Sequence, residues 1–250
     1  MTAFFDGPLG GFDIESTGTD VWEDRIVTFS IIYSESAFHQ PIVLEWLINP
    51  GIDIDPGAAE VHGITTEHAQ EHGMDPKTAL QEIADRLSVL VSKGIPLVAY
   101  NIPFDATMLW AEFERYGITT CCGQEQMFSR SIDPLVIDKA CDKYRKGSRK
   151  LTDTAKLYGY DLTNAHNSTA DVEATLHITR ALKKFFKDDF TIEELQEFQK
   201  DAKMEQSTSF QKYLRNKRDE EGNLVDPEAI ISTDWPFQKK EVDTEENVVV

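Results

Sequence analysis

The chain has 250 residues, of which 40% are apolar and 10% aromatic, so it can bury a substantial core in one or two domains. Its 25 basic and 44 acidic residues give a formal net charge of −19, which excludes a protein held on nucleic acid by general electrostatic attraction. The sequence has no membrane-length apolar run, no secretory signal and no cysteine pattern typical of disulfide frameworks or zinc sites, so we expect a cytoplasmic protein.

The sequence opens with strand-length apolar runs at residues 9–14, 26–33 and 41–48. In the second run Val27, Phe29 and Ile31 alternate with polar residues, which is the period of a pleated strand. From Pro76 the apolar residues recur every three or four positions, which predicts a helix that ends near Gly94.

Strands and helices alternate in the next part of the chain. We expect strands at 96–100 and 126–132, and helices at 103–116, 135–144, 151–158 and 170–186. Three strands followed by this alternation predict an α/β fold, with a mixed central sheet flanked by helices.

The last part of the chain has a different composition. Residues 191–218 are typical of a charged helix with a thin apolar stripe, and residues 219–250 hold ten acidic but only two basic residues. We therefore expect residues 1–187 to form the main domain, and residues 188–250 to form a helical appendage with an acidic tail. The tail is either a solvated surface or an interaction segment, and composition leaves both open.

Two acidic residues, Asp13 and Glu15, occur two positions apart on the first predicted strand, so both side chains leave the same face. Neighbouring buried carboxylates repel each other unless a cation is present. The flanking Phe12 and Ile14 are typical of an interior strand and favour a metal site. A solvated pair of acids is the alternative.

A third acidic residue, Asp105, follows the strand predicted at 96–100. That strand runs into Asn101, a residue typical of helix caps, and Pro103 is tolerated only in a first helical turn. Asp105 therefore falls in the first turn, where free backbone N–H groups favour an anion. The alternative is that Asp105 only caps this helix.

His166 and Asp171 lie at the start of the helix predicted at 170–186. Asp171 shares a helix face with small residues such as Ala174, which allow close approach to a sheet. His166 is in the preceding loop, where a histidine is more often structural than catalytic.

These three segments, in this order, resemble the three signature motifs of the DEDDh 3′–5′ exonucleases, and in particular the epsilon-like proofreading branch of DNA polymerase III. The motifs are Phe-Asp-Ile-Glu-Ser-Thr-Gly at 12–18, Tyr-Asn-Ile-Pro-Phe-Asp at 100–105 and His-x4-Asp at 166–171. The segment His-Gly-Ile-Thr at 62–65 is similar to one characteristic of that branch. Tyr100 stands where the family commonly has histidine. Four motifs in register are far more specific than one.

The resemblance implies an RNase H-like fold and a metal-dependent enzyme that releases nucleoside 5′-monophosphates from DNA 3′ ends, in replication proofreading or repair. It implies that two Mg²⁺ or Mn²⁺ ions are bound by the four carboxylates Asp13, Glu15, Asp105 and Asp171. It also implies that His166 removes a proton from the attacking water.

Further residues are candidate contacts to the substrate. Thr17 and Gly18 follow the first two carboxylates, and His62 and Phe104 are candidates for contact with a splayed terminal base, although core packing explains Phe104 equally well. A basic segment at 143–150 either contacts phosphates or is solvated.

The expected partners are single-stranded or frayed DNA 3′ ends and a replicative DNA polymerase subunit that binds the C-terminal segment. We expect no membrane association.

Two other functions are compatible with these motifs. RNA-directed relatives, such as oligoribonucleases and RNase T-like trimmers, carry the same carboxylates, so the catalytic residues do not separate DNA from RNA. A non-catalytic module associated with a polymerase is the second alternative, and the presence of all five expected functional residues argues against it.

Overall fold

The computed structural model describes residues 3–33, 40–163, 165 and 167–240. Their centre is a mixed five-stranded sheet with the strand order β3-β2-β1-β4-β5. The strands are β1 (Gly10–Ser16), β2 (Ile26–Tyr33), β3 (Ile42–Leu47), β4 (Leu97–Val98) and β5 (Ser131–Ile132). The first three pair antiparallel, whereas β1, β4 and β5 run parallel, so the sheet is mixed as the sequence predicts.

Helices cover both faces of this sheet. They are α1 (Ala3–Asp6), α2 (Pro56–His62), α3 (Thr66–His72), α4 (Pro76–Ser92), α5 (Ile102–Tyr116), α6 (Gln124–Met127), α7 (Pro134–Cys141), α8 (Leu151–Leu157), α9 (Ser168–Leu182) and α10 (Ile192–Asn216). Among the described residues, no helix is both long and apolar enough to cross a membrane.

Alternation along β1 separates the core from the polar face. Phe12 and Ile14 are buried in a cluster with residues of α4 and α5. Gly11 points to the opposite side, where a β-carbon would meet Val172 of α9. Because side chains alternate along a strand, Asp13 leaves the sheet on the α9 side.

One of the predicted strands is wrong over most of its length. Residues 124–127 of the expected strand region form helix α6, and only Ser131–Ile132 pair with β4. The helical turn buries Met127 and Phe128 in the main core cluster, so tertiary packing overrides the strand-like composition. Helices α2 and α3, around the His-Gly-Ile-Thr segment, were not predicted.

Helix α10 packs against the edge of the sheet. Its N-terminus has a capping box formed by Thr191 and Glu194. The buried Gln199 amide accepts a hydrogen bond from the Asp133 N–H (2.7 Å) and donates one to the Ser131 carbonyl (3.0 Å). The Gln199 side chain thus pairs with the exposed edge of β5, much as a sixth strand would.

The chain beyond α10 returns to the main core. Trp235 and Phe237 pack against the core cluster, and the Gln238 N–H donates to Thr107 Oγ1 on α5 at 2.8 Å. The expected division between residues 187 and 188 therefore separates two segments that share packed contacts.

Candidate active site

Asp13 and Glu15 project from the middle and the end of β1. Asp13 is opposite Ser30 of β2, and the register shifts between Glu15 and Ser16. Both acids are partly buried, and they leave the strand on the side of α9, as their spacing predicts.

Asp171 is brought to these two carboxylates by the start of α9. Asn167 caps this helix by accepting the Ala170 N–H at 3.1 Å. The Ser168 hydroxyl lies 2.5 Å from the Ser30 hydroxyl, and both residues are buried. This hydroxyl pair fixes the first turn of α9 on β2, and Asp171, which is 7% exposed, lies in that turn.

Three carboxylates converge at this point. Asp13, Glu15 and Asp171 each offer an oxygen, and these atoms all lie within 4.8 Å of one another. Such a group of oxygen donors is the kind of site that binds a hard divalent cation.

Asp105 lies beside this cluster in the first turn of α5 and is 4% exposed. Burial raises the pKa of Asp105 well above its usual value, although hydrogen bonds from the backbone N–H groups of Asp105 and Ile14 act in the opposite direction. The charge of Asp105 also raises the pKa of Asp13. The fourth predicted carboxylate is therefore close enough to interact electrostatically with the other three.

The carboxylates disfavour one another's ionisation. Burial, and then the charges of Asp105, Glu15 and Asp171, raise the pKa of Asp13 well above its usual value. Burial and the charge of Asp171 raise the pKa of Glu15 to about 7. A proton or a bound cation must therefore neutralise part of the cluster near neutral pH. A buried set of oxygen donors that resists ionisation fits a divalent cation.

Asp133 holds the start of α5 in place, and sequence reasoning did not assign it this role. Its buried carboxylate accepts the N–H groups of Asn101 and Ile102, both at 3.1 Å, and that of Leu135 at 2.9 Å. Asn101 adopts a left-handed conformation (φ 72°) and makes no side-chain cap bond, so Asp133 supplies this contact instead. An aspartate directly before Pro134 is a recognisable N-cap signal.

A cavity of about 620 Å³ adjoins the carboxylate cluster. Its lining includes Glu15 and three of the predicted substrate contacts, namely Gly18, His62 and Phe104. His62 ends α2, and its Nδ1 accepts the Ile64 N–H at 3.2 Å. A cavity that begins at the carboxylates can receive the terminal nucleotide of a strand.

The other predicted contact, Thr17, is buried and does not line this cavity. Its hydroxyl donates to Asp24 at 2.7 Å and accepts the Arg25 N–H at 3.0 Å. Thr17 thus holds the turn that presents Gly18. His166, the predicted general base, lies outside the described residues.

Comparison with known proteins agrees with this geometry. The model of a family described as "Exonuclease" matches residues 11–179. A PolC-type DNA polymerase III of Streptococcus thermophilus is 29% identical over 186 residues, covering 72% of this chain and 11% of that protein. An exodeoxyribonuclease I of Buchnera aphidicola is 24% identical over 189 residues, covering 69% of this chain and 39% of that protein.

Solved structures show the same fold. E. coli exonuclease I in complex with a dT13 oligonucleotide matches with a TM-score of 0.60 and 24% identity, over 71% of this chain and 41% of that one. The product-bound structure of exonuclease I matches with a TM-score of 0.60 and 22% identity, over 72% of this chain and 44% of that one. The chain thus spans less than half the length of each relative and matches its nuclease-like fold.

Proposed function

The chain belongs to the exonuclease family, and from this premise we propose that it is a metal-dependent 3′–5′ exonuclease that releases nucleoside 5′-monophosphates from DNA 3′ ends. The observation that carries the proposal is the convergence of Asp13, Glu15 and Asp171, with Asp105 beside them. We assign the enzyme to replication proofreading or repair.

Asp13, Glu15, Asp105 and Asp171 are proposed to hold two Mg²⁺ or Mn²⁺ ions. The donor set supports this, because Mg²⁺ prefers a few carboxylates together with substrate phosphate and water. When bound, divalent cations supply electrostatic stabilisation of the charge that develops on the phosphodiester. The two ions also cancel the four carboxylate charges, so the site accepts an anionic substrate.

His166 is proposed as the general base that takes a proton from the attacking water. The motif order supports this assignment, since His166 precedes Asp171 by five positions as in the signature motif. Imidazole titrates near neutral pH, which suits proton transfer under ordinary conditions.

The terminal nucleotide is proposed to occupy the cavity lined by Gly18, His62 and Phe104. Phe104 is only partly buried, so its ring can face a terminal base while it packs on the core. Thr17 acts in this proposal by holding the turn at Gly18.

Single-stranded or frayed DNA 3′ ends are the proposed substrate, and the names of the relatives support DNA. One relative is a DNA polymerase III and the other an exodeoxyribonuclease. The PolC-type relative also supports the proposal that this chain works beside a replicative polymerase, with the C-terminal segment as the binding element.

The decisive experiment uses matched single-stranded DNA and RNA oligonucleotides labelled at the 5′ end, with Mg²⁺ or Mn²⁺. We expect a ladder of products shortened one nucleotide at a time from the 3′ end, with nucleoside 5′-monophosphates released and DNA cut faster than RNA. Faster cutting of RNA would favour the oligoribonuclease-like alternative. A lack of cleavage of either strand with both metals would instead favour the non-catalytic module.

A further inference from the structure

A second cavity, of about 710 Å³, lies between α7 and α10 and has none of the four carboxylates in its lining. Its walls carry basic residues from the α7 side and two aromatic residues from α10. These residues are Lys139, Lys143, Arg145, Arg149, Phe210 and Tyr213. A basic cavity is unexpected in a chain with a net charge of −19.

Three of these four cations already have anionic partners. Arg145 and Arg149 both pair with the buried Asp138, and Lys143 pairs with Glu205. The basic segment at 143–150 is therefore partly committed to holding the protein together. Its arginines are not free to serve as general phosphate contacts.

Lys139 differs from these three residues. Within the part of the chain that the structure describes, its ammonium group makes no hydrogen bond or ion pair. Lys203 of α10 is in the same situation, and both lysines line an adjoining cavity of about 100 Å³. Burial lowers the pKa of each lysine, and each feels the distant charge of Asp133. The oxygens of Asp133, however, already accept backbone N–H groups. Two partly buried cations thus face a space that lacks a matching anion.

The smaller cavity leads toward the carboxylates. Asn101 lines it, and Phe104, three residues further along α5, lines the cavity next to Glu15. Asn101 follows β4 and Asp133 follows β5, and both strands run parallel to β1. The carboxyl ends of parallel strands meet at one edge of a sheet. The lysines and the carboxylates therefore lie along the same edge.

Phe210 and Tyr213 add flat apolar surface beside the cations. Their rings stack at a centroid distance of 6.3 Å with an interplanar angle of 16°, and the residues are 51% and 58% exposed. Cations next to exposed ring faces are the combination that binds single-stranded nucleic acid. An acidic peptide would use the cations but not the rings.

Building on the exonuclease activity proposed above, we propose that the substrate strand continues from the carboxylate cluster past Asn101 into this second cavity. There Lys139 and Lys203 bind backbone phosphates, and Phe210 and Tyr213 stack on bases. The nucleotides involved are those upstream of the terminal one. The proposal names single-stranded nucleic acid as the ligand class of the cavity.

The test measures binding without cleavage, in EDTA, by fluorescence anisotropy. The probes are an oligothymidylate of about twelve nucleotides and a trinucleotide too short to reach the lysines. We expect the variant Lys139→Gln/Lys203→Gln to weaken binding of the long probe severalfold, so that the ratio of long-probe to short-probe Kd rises. Its salt dependence should fall by about 1.4 in slope, at about 0.7 for each lost phosphate contact.

The exposed Lys146 provides the matched control, because Lys146→Gln removes a charge from the same region outside both cavities. It should leave the ratio of the two Kd values unchanged. An equal effect of both variants, an unchanged ratio in the double variant, or displacement of the long probe by polyglutamate at equal charge would overturn the proposal.

A second measurement uses the wild-type protein and so does not depend on how the variants fold. Long probes carrying 5-iododeoxyuridine several nucleotides from the 3′ end should crosslink to peptides of α7 or α10. Crosslinks confined to the peptide around Phe104 would overturn the proposed path. Because the probes stay uncut, crosslinking to α7 or α10 without nuclease activity would overturn the proposed function alone.

Discussion

Gly11 on β1 and Leu176 on α9 lie so close that a β-carbon added to Gly11 would come within 2.8 Å of Leu176 Cγ. The same atom would lie 2.7 Å from Cγ1 of Val172, the residue after Asp171. Glycine at this position therefore allows α9 to approach β1 closely enough for Asp171 to join Asp13.

Replacing Gly11 with alanine should force α9 away from the sheet. Overpacking of this kind typically costs about 1–3 kcal/mol of the free energy of unfolding. The displacement of Asp171 should also weaken Mn²⁺ binding. Chemical denaturation and calorimetry measure the two effects.

Gly123→Ala is the matched control, since an added β-carbon there meets nothing within 4 Å and its φ of −70° suits any residue. It should be neutral or slightly stabilising. A Gly11→Ala protein with unchanged Mn²⁺ affinity would show that close packing of α9 does not position Asp171.

The general base and the metal ligands should respond differently to substitution. His166→Ala should lower turnover by about 10²–10⁴-fold while metal and oligonucleotide binding persist. Asp13→Asn should lower both turnover and Mn²⁺ affinity, because it removes a charged ligand from the cluster. Single-turnover cleavage and calorimetry separate these effects.

The control for lost negative charge is Asp188→Asn, at an exposed position. It should change neither turnover nor Mn²⁺ affinity. The base assignment fails if His166→Ala retains near-normal turnover at saturating Mg²⁺, or if its metal affinity falls as far as that of Asp13→Asn.

Local patterns predicted the parts of the site that depend on local geometry. The strand period placed Asp13 and Glu15 on one face, and the proline in the first turn placed Asp105 at the start of α5. The antiparallel strands and the longer helices followed from apolar periodicity in the same way. These features are set by residues within a few positions of each other.

Contacts between distant segments were not predictable from such patterns. The Asp133 carboxylate reaches Asn101 across 32 positions, and the Gln199 amide reaches Ser131 across 68. In each case a buried polar side chain replaces a missing backbone partner, and its sequence neighbours carry no sign of this. The apolar stripe of α10 was informative only in part, since Leu195 is buried but Phe210 is half exposed.

Gln199→Ala should destabilise the protein although it removes no apolar contact. The substitution leaves the Ser131 carbonyl and the Asp133 N–H buried with a lost partner, which typically costs about 1–3 kcal/mol of the free energy of unfolding for each group. Denaturant unfolding measures the loss. Gln70→Ala, at an exposed helical position, should have little effect, and an equal effect of both would contradict a role for Gln199 at the edge of β5.

Deleting residues 188–250 should give a protein that does not fold properly. Leu195 is fully buried in a cluster with Phe5, Ile137 and Leu182, so the deletion exposes this apolar surface. Circular dichroism and solubility of the truncated chain test this, with the chain ending at residue 240 as the control. A folded, active 1–187 fragment would instead support two independent units.

Stability should depend on pH in opposite ways with and without metal. Burial raises the pKa of Glu15 to about 7 and that of Asp13 well above its usual value. Between about pH 5 and pH 7 the metal-free folded protein therefore holds more protons than the unfolded chain, so its free energy of unfolding falls as pH rises. A divalent cation replaces these protons, and the stabilisation by Mn²⁺ should grow over the same range.

Thermal unfolding in EDTA and in Mn²⁺, from about pH 5.5 to pH 7.5, measures this linkage. Glu15→Gln cannot ionise, so the metal-free variant should lose less stability across this window than the wild type. Mn²⁺ should stabilise it less at the upper end, because one charged ligand is missing. Other titrating groups, such as the exposed histidines, contribute equally to both proteins and cancel in the comparison. Identical pH profiles for the two metal-free proteins would contradict a raised pKa at Glu15, and with it the argument that the cluster needs a cation at neutral pH.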